Sequence, residues 1–168
     1  MQTYKITSQK DLNKFKDDYG YKIDGNAEFS FTAIFKGRLD VEGYLEIKAD
    51  YSIEAGSWIE AGDSIKAGDS IKAGYSIKAG DSIKAGGIQA GLYITCKGTL
   101  SFGLKAFAGI NTWREISNEE KTITCSKMIG GGVVEYGILN ETGEPELDDK
   151  TEEAMRTLRE AGYRIIRD

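Results

Sequence analysis

From Ile53 to Gly86 the chain repeats one six-residue unit almost unchanged, IEAGSWIEAGDSIKAGDSIKAGYSIKAGDSIKAG. Ile53, Ile59, Ile65, Ile71, Ile77 and Ile83 recur at every sixth position, and Ala55, Ala61, Ala67, Ala73, Ala79 and Ala85 follow two places behind. A fixed period constrains architecture before any local propensity does. Within each unit Ile-x-Ala alternates, so Ile and Ala point to one side of a strand and the residue between them to the other. That middle residue is Glu54, Glu60, Lys66, Lys72, Lys78 or Lys84, always charged. Gly-Asp-Ser then breaks the strand, because glycine permits unusual backbone angles and Asp and Ser bond back to nearby amides. A short strand and a tight corner, repeated, close into a polygon. Three sides of roughly eighteen residues make one coil of a triangular prism, with coils stacked about 4.8 Å apart. A helix is excluded: a period of six does not fit 3.6, and each glycine would cost about 1 kcal/mol there.

Phe35, Val41 and Ile47 lie at the same spacing upstream, and Ile94, Leu100 and Ala106 continue it downstream. One residue is missing at Gly86-Gly87-Ile88. The expected fold is therefore mostly β, a single-stranded triangular β-helix over residues 35–110, flanked by caps that blunt its open strand edges. Residues 1–34 read as an N-terminal cap, with Ser8 before a short helix carrying Leu12 and Phe15, Gly20 ending it, and an alternating strand over residues 27–34. In residues 111–168, KTITCSKM and VVEYGIL around Gly130-Gly131-Gly132 read as a β-hairpin. After Pro145, Asp149 and Glu152 have capping-box-like spacing, and Leu147, Thr151, Ala154, Leu158 and Ala161 share one side of a helix. That helix reads as a second cap, or as a docking helix whose acidic side steers a partner.

The net charge is −5, and its distribution is uneven. Residues 35–110 balance nine acidic against nine basic side chains, whereas residues 141–168 hold nine acidic and five basic. No basic tract points to general nucleic-acid binding. The opening MQTYKITSQKDLNKF has no apolar run, so neither a signal peptide nor a membrane span is expected there, and a cytoplasmic location follows. Cys96 and Cys125 fall at inward-pointing positions and read as buried free thiols, in keeping with that compartment.

The unit AGDSIK resembles the apolar-Gly-x-x-aliphatic-x pattern of the hexapeptide-repeat β-helix proteins, with Ala67 and Ile71 as one inward pair. The resemblance covers about half of the chain and implies fold rather than function. Enzymes of that family are mostly acyltransferases with a histidine base or carbonic anhydrases with histidine-bound zinc. This chain contains no histidine, so neither mechanism carries over. Two separated cysteines are a poor zinc set. Gly130-Gly131-Gly132 precedes a strand and lacks the Lys-Ser/Thr pair of a phosphate-cradling loop. Ser64/Lys66-type pairs recur in every unit and read as structural. No cofactor, metal or catalytic residue is expected.

Surface positions carry what remains. At about eighteen residues per coil, Lys48, Lys66 and Lys84 should stack in one column, with Glu54 under Lys72 and Glu60 under Lys78. The column reads as solubility, or as a grip for a phosphate backbone or an acidic partner. Trp58 stands where the unit has Ser and Tyr75 where it has Asp, both at corners; Tyr51 and Tyr93 are similar. Exposed Trp and Tyr are enriched at binding hot spots. Glu152, Glu153 and Arg156, in the C-terminal helical pattern, complete the candidate interaction residues.

The DLNKFKDDYG opening, the IKAG repeats, the CKGTLSFGLKAFAGI exit and the GGGVVEYGIL segment together resemble small solenoid proteins of phages and mobile elements in Gram-positive gut bacteria. That resemblance implies a non-enzymatic inhibitor of a larger bacterial protein or nucleoprotein complex, of the anti-defence and anti-CRISPR kind. The period is also similar to that of bactofilins, which implies a self-assembling, homo-oligomeric filament. A nucleic-acid binder using the lysine column is the third reading.

Overall fold

The computed structural model describes residues 1–111 and 114–143. Three parallel sheets form the three faces of a β-solenoid of about seven turns. The first face stacks Thr3–Ile6, Asn26–Phe29, Leu45–Ile47, Ile65–Ala67, Ile83–Ala85, Thr99–Phe102 and Lys127–Ile129. The second stacks Gly20–Ile23, Arg38–Val41, Ile59–Ala61, Ile77–Ala79, Ile94–Cys96, Thr122–Cys125 and Ile138–Glu141. The third runs from Ala33–Phe35 through Ile53–Ala55, Ser70–Ala73, Gly87–Ala90 and Lys105–Ala108 to Val133–Tyr136. Each strand is too short to stand alone and is held by its neighbours in the coils above and below.

The alternation read from the repeat is the alternation seen. Every repeat isoleucine is at most 1 % exposed and every repeat alanine at most 6 %. In register, Ile71 sits between Ile53 and Ile88, and Ala73 between Ala55 and Ala90. The axis is therefore a set of columns of like side chains, each isoleucine contributing roughly 1.5–3 kcal/mol by leaving water. Glycine follows alanine because the coils touch at that corner. A Cβ on Gly74 would lie 2.1 Å from the carbonyl oxygen of Gly56, and one on Gly91 1.8 Å from that of Gly74.

The solenoid is longer than the expected 35–110, and its upstream phase is shifted. Phe35, Val41 and Ile47 stack on Ala55, Ala61 and Ala67, so they hold alanine-type positions. The isoleucine columns are continued instead by Ala33, Leu39 and Leu45. The cause is the five-residue corner Lys48–Ser52, two residues longer than the usual corner, with Asp50 in the left-handed region at φ 68°. The deletion at Gly86-Gly87 is likewise absorbed in a corner, and Ile71 meets Ile88 in register. Downstream, Ile94, Leu100 and Ala106 keep the isoleucine columns.

Both ends correct the sequence reading. Residues 1–34 do contain a short helix, Gln9–Leu12, whose N-cap Ser8 accepts a bond from the Asp11 amide and whose Leu12 is fully buried. A 3₁₀ turn, Asn13–Phe15, follows, and Phe15 packs edge-on against Tyr4 at 4.9 Å. Gly20 does not end that helix; it opens a coil strand. The four strands before Lys36 already belong to the solenoid. At the other end the expected hairpin is absent: Thr122–Cys125, Lys127–Ile129, Val133–Tyr136 and Ile138–Glu141 all pair in parallel with strands of earlier coils. Gly130 and Gly137, at φ 104° and 119°, turn the chain from one face to the next rather than back on itself. The helix expected after Pro145 lies outside the described residues.

Replacing Ile71 by Ala should cost about 2–5 kcal/mol in urea unfolding, because its column cannot close over the missing methyl groups. Lys72→Ala, the outward neighbour, should cost under about 1 kcal/mol. Equal losses for the two would contradict a dry axis.

Candidate interaction surface

With the axis filled, the outward side chains are indexed by coil. One coil presents Glu46, Glu54 and Glu60, one on each face, and the next presents Lys66, Lys72 and Lys78 above them. Each pair closes an ion pair: Lys66–Glu46 at 2.9 Å, Lys72–Glu54 at 2.9 Å and Lys78–Glu60 at 2.7 Å. The bond to Glu60 raises the Lys78 ammonium above its ordinary range. All three pairs are largely solvated, worth about 0.2–1 kcal/mol each.

The stacking of Glu54 under Lys72 and Glu60 under Lys78 is as expected, but the three-lysine column is not. Lys84 stacks on Lys66, and beneath Lys66 comes Glu46. Lys48 has left the strand for the long corner, where its amide donates to the Phe29 carbonyl at 2.9 Å. The two inserted residues displace it, so a continuous cationic stripe does not form. Glu152, Glu153 and Arg156 lie outside the described residues.

Trp58, Tyr75 and Tyr93 lie on the same corner, between the third and second faces, with Tyr75 one position off the line of Trp58, Ser76 and Tyr93. The Tyr75 amide donates to the Ser57 carbonyl at 3.0 Å, and the Leu92 amide to the Tyr75 carbonyl at 2.6 Å, which places the three aromatics on successive coils. They are 37 %, 37 % and 39 % exposed. Trp58 is not loose: its indole Nε1 donates to Asp40 at 2.9 Å, and the Arg38 guanidinium lies 5.8 Å from its ring centre. Arg38 is itself fixed by Asp17 at 2.8 Å and Asp40 at 2.7 Å, and lies 5.5 Å from the Tyr19 ring. A held indole with one open face loses little rotamer entropy when a partner covers it. Between Trp58 and Tyr93 the small Ser76 leaves a notch of about 200 Å³, bounded also by the Glu60–Lys78 pair.

Arg38, Asp40 and Asp17 were not legible as parts of this corner. Their roles depend on which coil lies above which, and the two-residue insertion moves that register. A second feature lies outside the repeat. In the last coils Leu104, Val133 and Tyr136 are 68 %, 57 % and 47 % exposed, and Val133 stacks on Lys105. The signal was present in VVEY, where two adjacent valines cannot both point inward.

Other chemistry is sparse. Cys96 and Cys125 are buried free thiols, and burial pushes Cys96 up to about 11. Among the described residues no group of three or more His, Cys, Asp or Glu could hold a metal ion, and no helix is long and apolar enough to cross a membrane. In the segment between Lys105–Ala108 and Thr122–Cys125, Arg114 grips Glu120 with both terminal guanidinium nitrogens, at 2.8 and 2.5 Å. Fold and surface together define a parallel β-solenoid with three faces and one aromatic corner. Compared with protein-family models, with curated proteins and with solved structures, the chain matches none.

Arg114 holds the Glu120 carboxyl down at about 2, so whatever this pair adds to stability is present above the ordinary glutamate range and is lost as pH falls from about 4.5 towards 2. Glu120→Gln should remove that part of the acid dependence. Thermal midpoints measured across this window in both proteins check it.

Proposed function

We propose that this protein is a non-catalytic docking module, a stiff rod that binds and inhibits a larger bacterial protein or nucleoprotein complex from the cytoplasm. The observation that carries the reading is the corner of Trp58, Tyr75 and Tyr93, three partly open aromatics one coil apart, with Trp58 pinned by Asp40 and Arg38. Aromatic anchors on a rigid support bind with little ordering cost, and a few of them dominate interface energy. The Glu60–Lys78 pair and Ser76 beside them supply a polar rim. The likeness of the six-residue unit to hexapeptide-repeat β-helices, and of the whole chain to small phage and mobile-element solenoids, favours a stoichiometric anti-defence role. The lysine column is not used in this reading, since Lys48 is out of line and Lys66 is paired with Glu46. A homo-oligomer built by end-to-end stacking is the competing outcome.

Affinity capture from a bacterial lysate with the wild-type chain, followed by titration of the captured partner, tests the proposal. Trp58→Ala combined with Tyr93→Ala should weaken binding at least tenfold while the thermal midpoint stays close to wild type. An unchanged Kd removes the corner from the interface. Absence of any saturable partner, with filaments in negative stain, removes the docking function itself.

A further inference from the structure

On the corner between the third and second faces, one residue per coil forms a continuous line. The Arg38 amide donates to the Tyr19 carbonyl at 3.1 Å and the Leu39 amide to the Trp58 carbonyl at 2.9 Å, so Tyr19 lies in the coil below Arg38 and Trp58 in the coil above. The Ile59 amide donates to the Ser76 carbonyl at 2.9 Å and the Ile77 amide to the Tyr93 carbonyl at 3.1 Å, which carries the line through Ser76 to Tyr93. The lower half shows what such a frame holds. The Arg38 guanidinium lies 5.5 Å from the Tyr19 ring centre and 5.8 Å from that of Trp58, within cation–π reach of both. Asp17 at 2.8 Å and Asp40 at 2.7 Å balance its charge. The upper half repeats the frame, with two rings two coils apart. Its middle position is Ser76, however, whose short side chain leaves the notch of about 200 Å³ between Trp58 and Tyr93, with Glu60 on its edge.

We propose that this notch receives an arginine side chain of the bound partner, its guanidinium held between Trp58 and Tyr93 as that of Arg38 is held between Tyr19 and Trp58. The inference rests on the docking role proposed for this corner and names the residue that the corner recognises. Arginine fits better than other groups of similar size. A nucleobase would bring a phosphate towards the adjoining face, which sets Asp24, Asp40, Glu42 and Glu60 against Lys22. An uncharged ring would stack but make no use of the Glu60 carboxylate. A lysine ammonium is a compact, strongly hydrated charge with no plane to stack, whereas a guanidinium is flat, cationic and weakly hydrated. The two frames differ at one point: two residues after Arg38 stands Asp40, and two after Ser76 stands Lys78. Glu60 neutralises Lys78 at 2.7 Å in a solvated pair. A carboxylate accepts from more than one donor, so an incoming guanidinium shares Glu60 with Lys78. The partner's arginine is thus held by one carboxylate instead of two.

Titration of the full chain with N-acetyl-arginine amide, followed by the NMR signal of the Trp58 indole N–H in a Trp113→Phe background, tests it. The signal should move saturably, and the amides of N-acetyl-lysine and of N-acetyl-citrulline should bind about tenfold more weakly. Tyr93→Ala should weaken the arginine probe about tenfold. Ser76→Arg should supply the guanidinium from within: its thermal midpoint should equal or exceed that of the wild type, and the probe should no longer bind. A folded Ser76→Arg protein that still binds the probe overturns the proposal. Equal binding of the citrulline probe (stacking alone) or of the lysine probe (charge alone) overturns it too, as does the lack of any saturable shift. Free L-arginine binding about tenfold more tightly than the amide would assign the notch to a small molecule, and so also overturns it. If the captured partner loses affinity with the Trp58/Tyr93 double variant but not with Ser76→Arg, the corner docks without an arginine: the proposal fails and the docking reading stands.

Discussion

The whole structure depends on like side chains stacking in register along one dry axis. Parallel strands about 4.8 Å apart bring each isoleucine onto the one below it, and a column of matched shapes leaves no void to fill. Because the inward positions are so uniform, the chain has little tolerance for error within a strand and much at its corners. The extra residues at Lys48–Ser52 and the deletion at Gly86-Gly87 show this directly. Both are absorbed between strands, and Ile53 and Ile88 still flank Ile71.

The same constraint organises the exterior. Once the axis fixes the coil spacing, every outward residue has a defined neighbour above and below, and chemistry can vary along the rod without disturbing the fold. The variation here is directional. Glu46, Glu54 and Glu60 form an acidic ring, Lys66, Lys72 and Lys78 a basic ring above it, and the last coils turn apolar at Val133 and Tyr136. The ion pairs add little stability individually, being solvated. On one corner that regularity is interrupted by Trp58, Tyr75 and Tyr93, and the Arg38–Asp40 pair converts an exposed indole into a fixed one.

How far the sequence could be read tracks how regular it is. Between Ile53 and Ala85 the alternation, the strands and the pairing of Glu54 with Lys72 and Glu60 with Lys78 were all legible, because an exact period leaves one register. Outside it the reading failed for a physical reason: each strand has two inward positions two residues apart on the same side, and both recur every six residues, so the spacing of Phe35, Val41 and Ile47 does not say which column they join. The glycine-rich stretch before Val133 failed differently. Glycine permits both a hairpin reversal and a polygon corner, and the choice was made by the parallel strand already waiting at Lys105–Ala108. Trp58 and Tyr75 stood out as departures from the unit, but their grouping with Tyr93 needed the coil register.

What the amino-acid sequence determined by itself is the kind of object: alternating Ile and Ala with charge between them admits a thin apolar axis and a solvated exterior, whatever the register. What tertiary structure decided is which outward residues are neighbours. Lys66 meets Glu46 rather than Lys48, and Arg38 lies against Trp58, because two residues in one corner reset the alignment of everything before them. Burial is a property of each strand and can be read locally. Adjacency between coils is a sum over every residue in between, and so exists only once the chain has closed on itself.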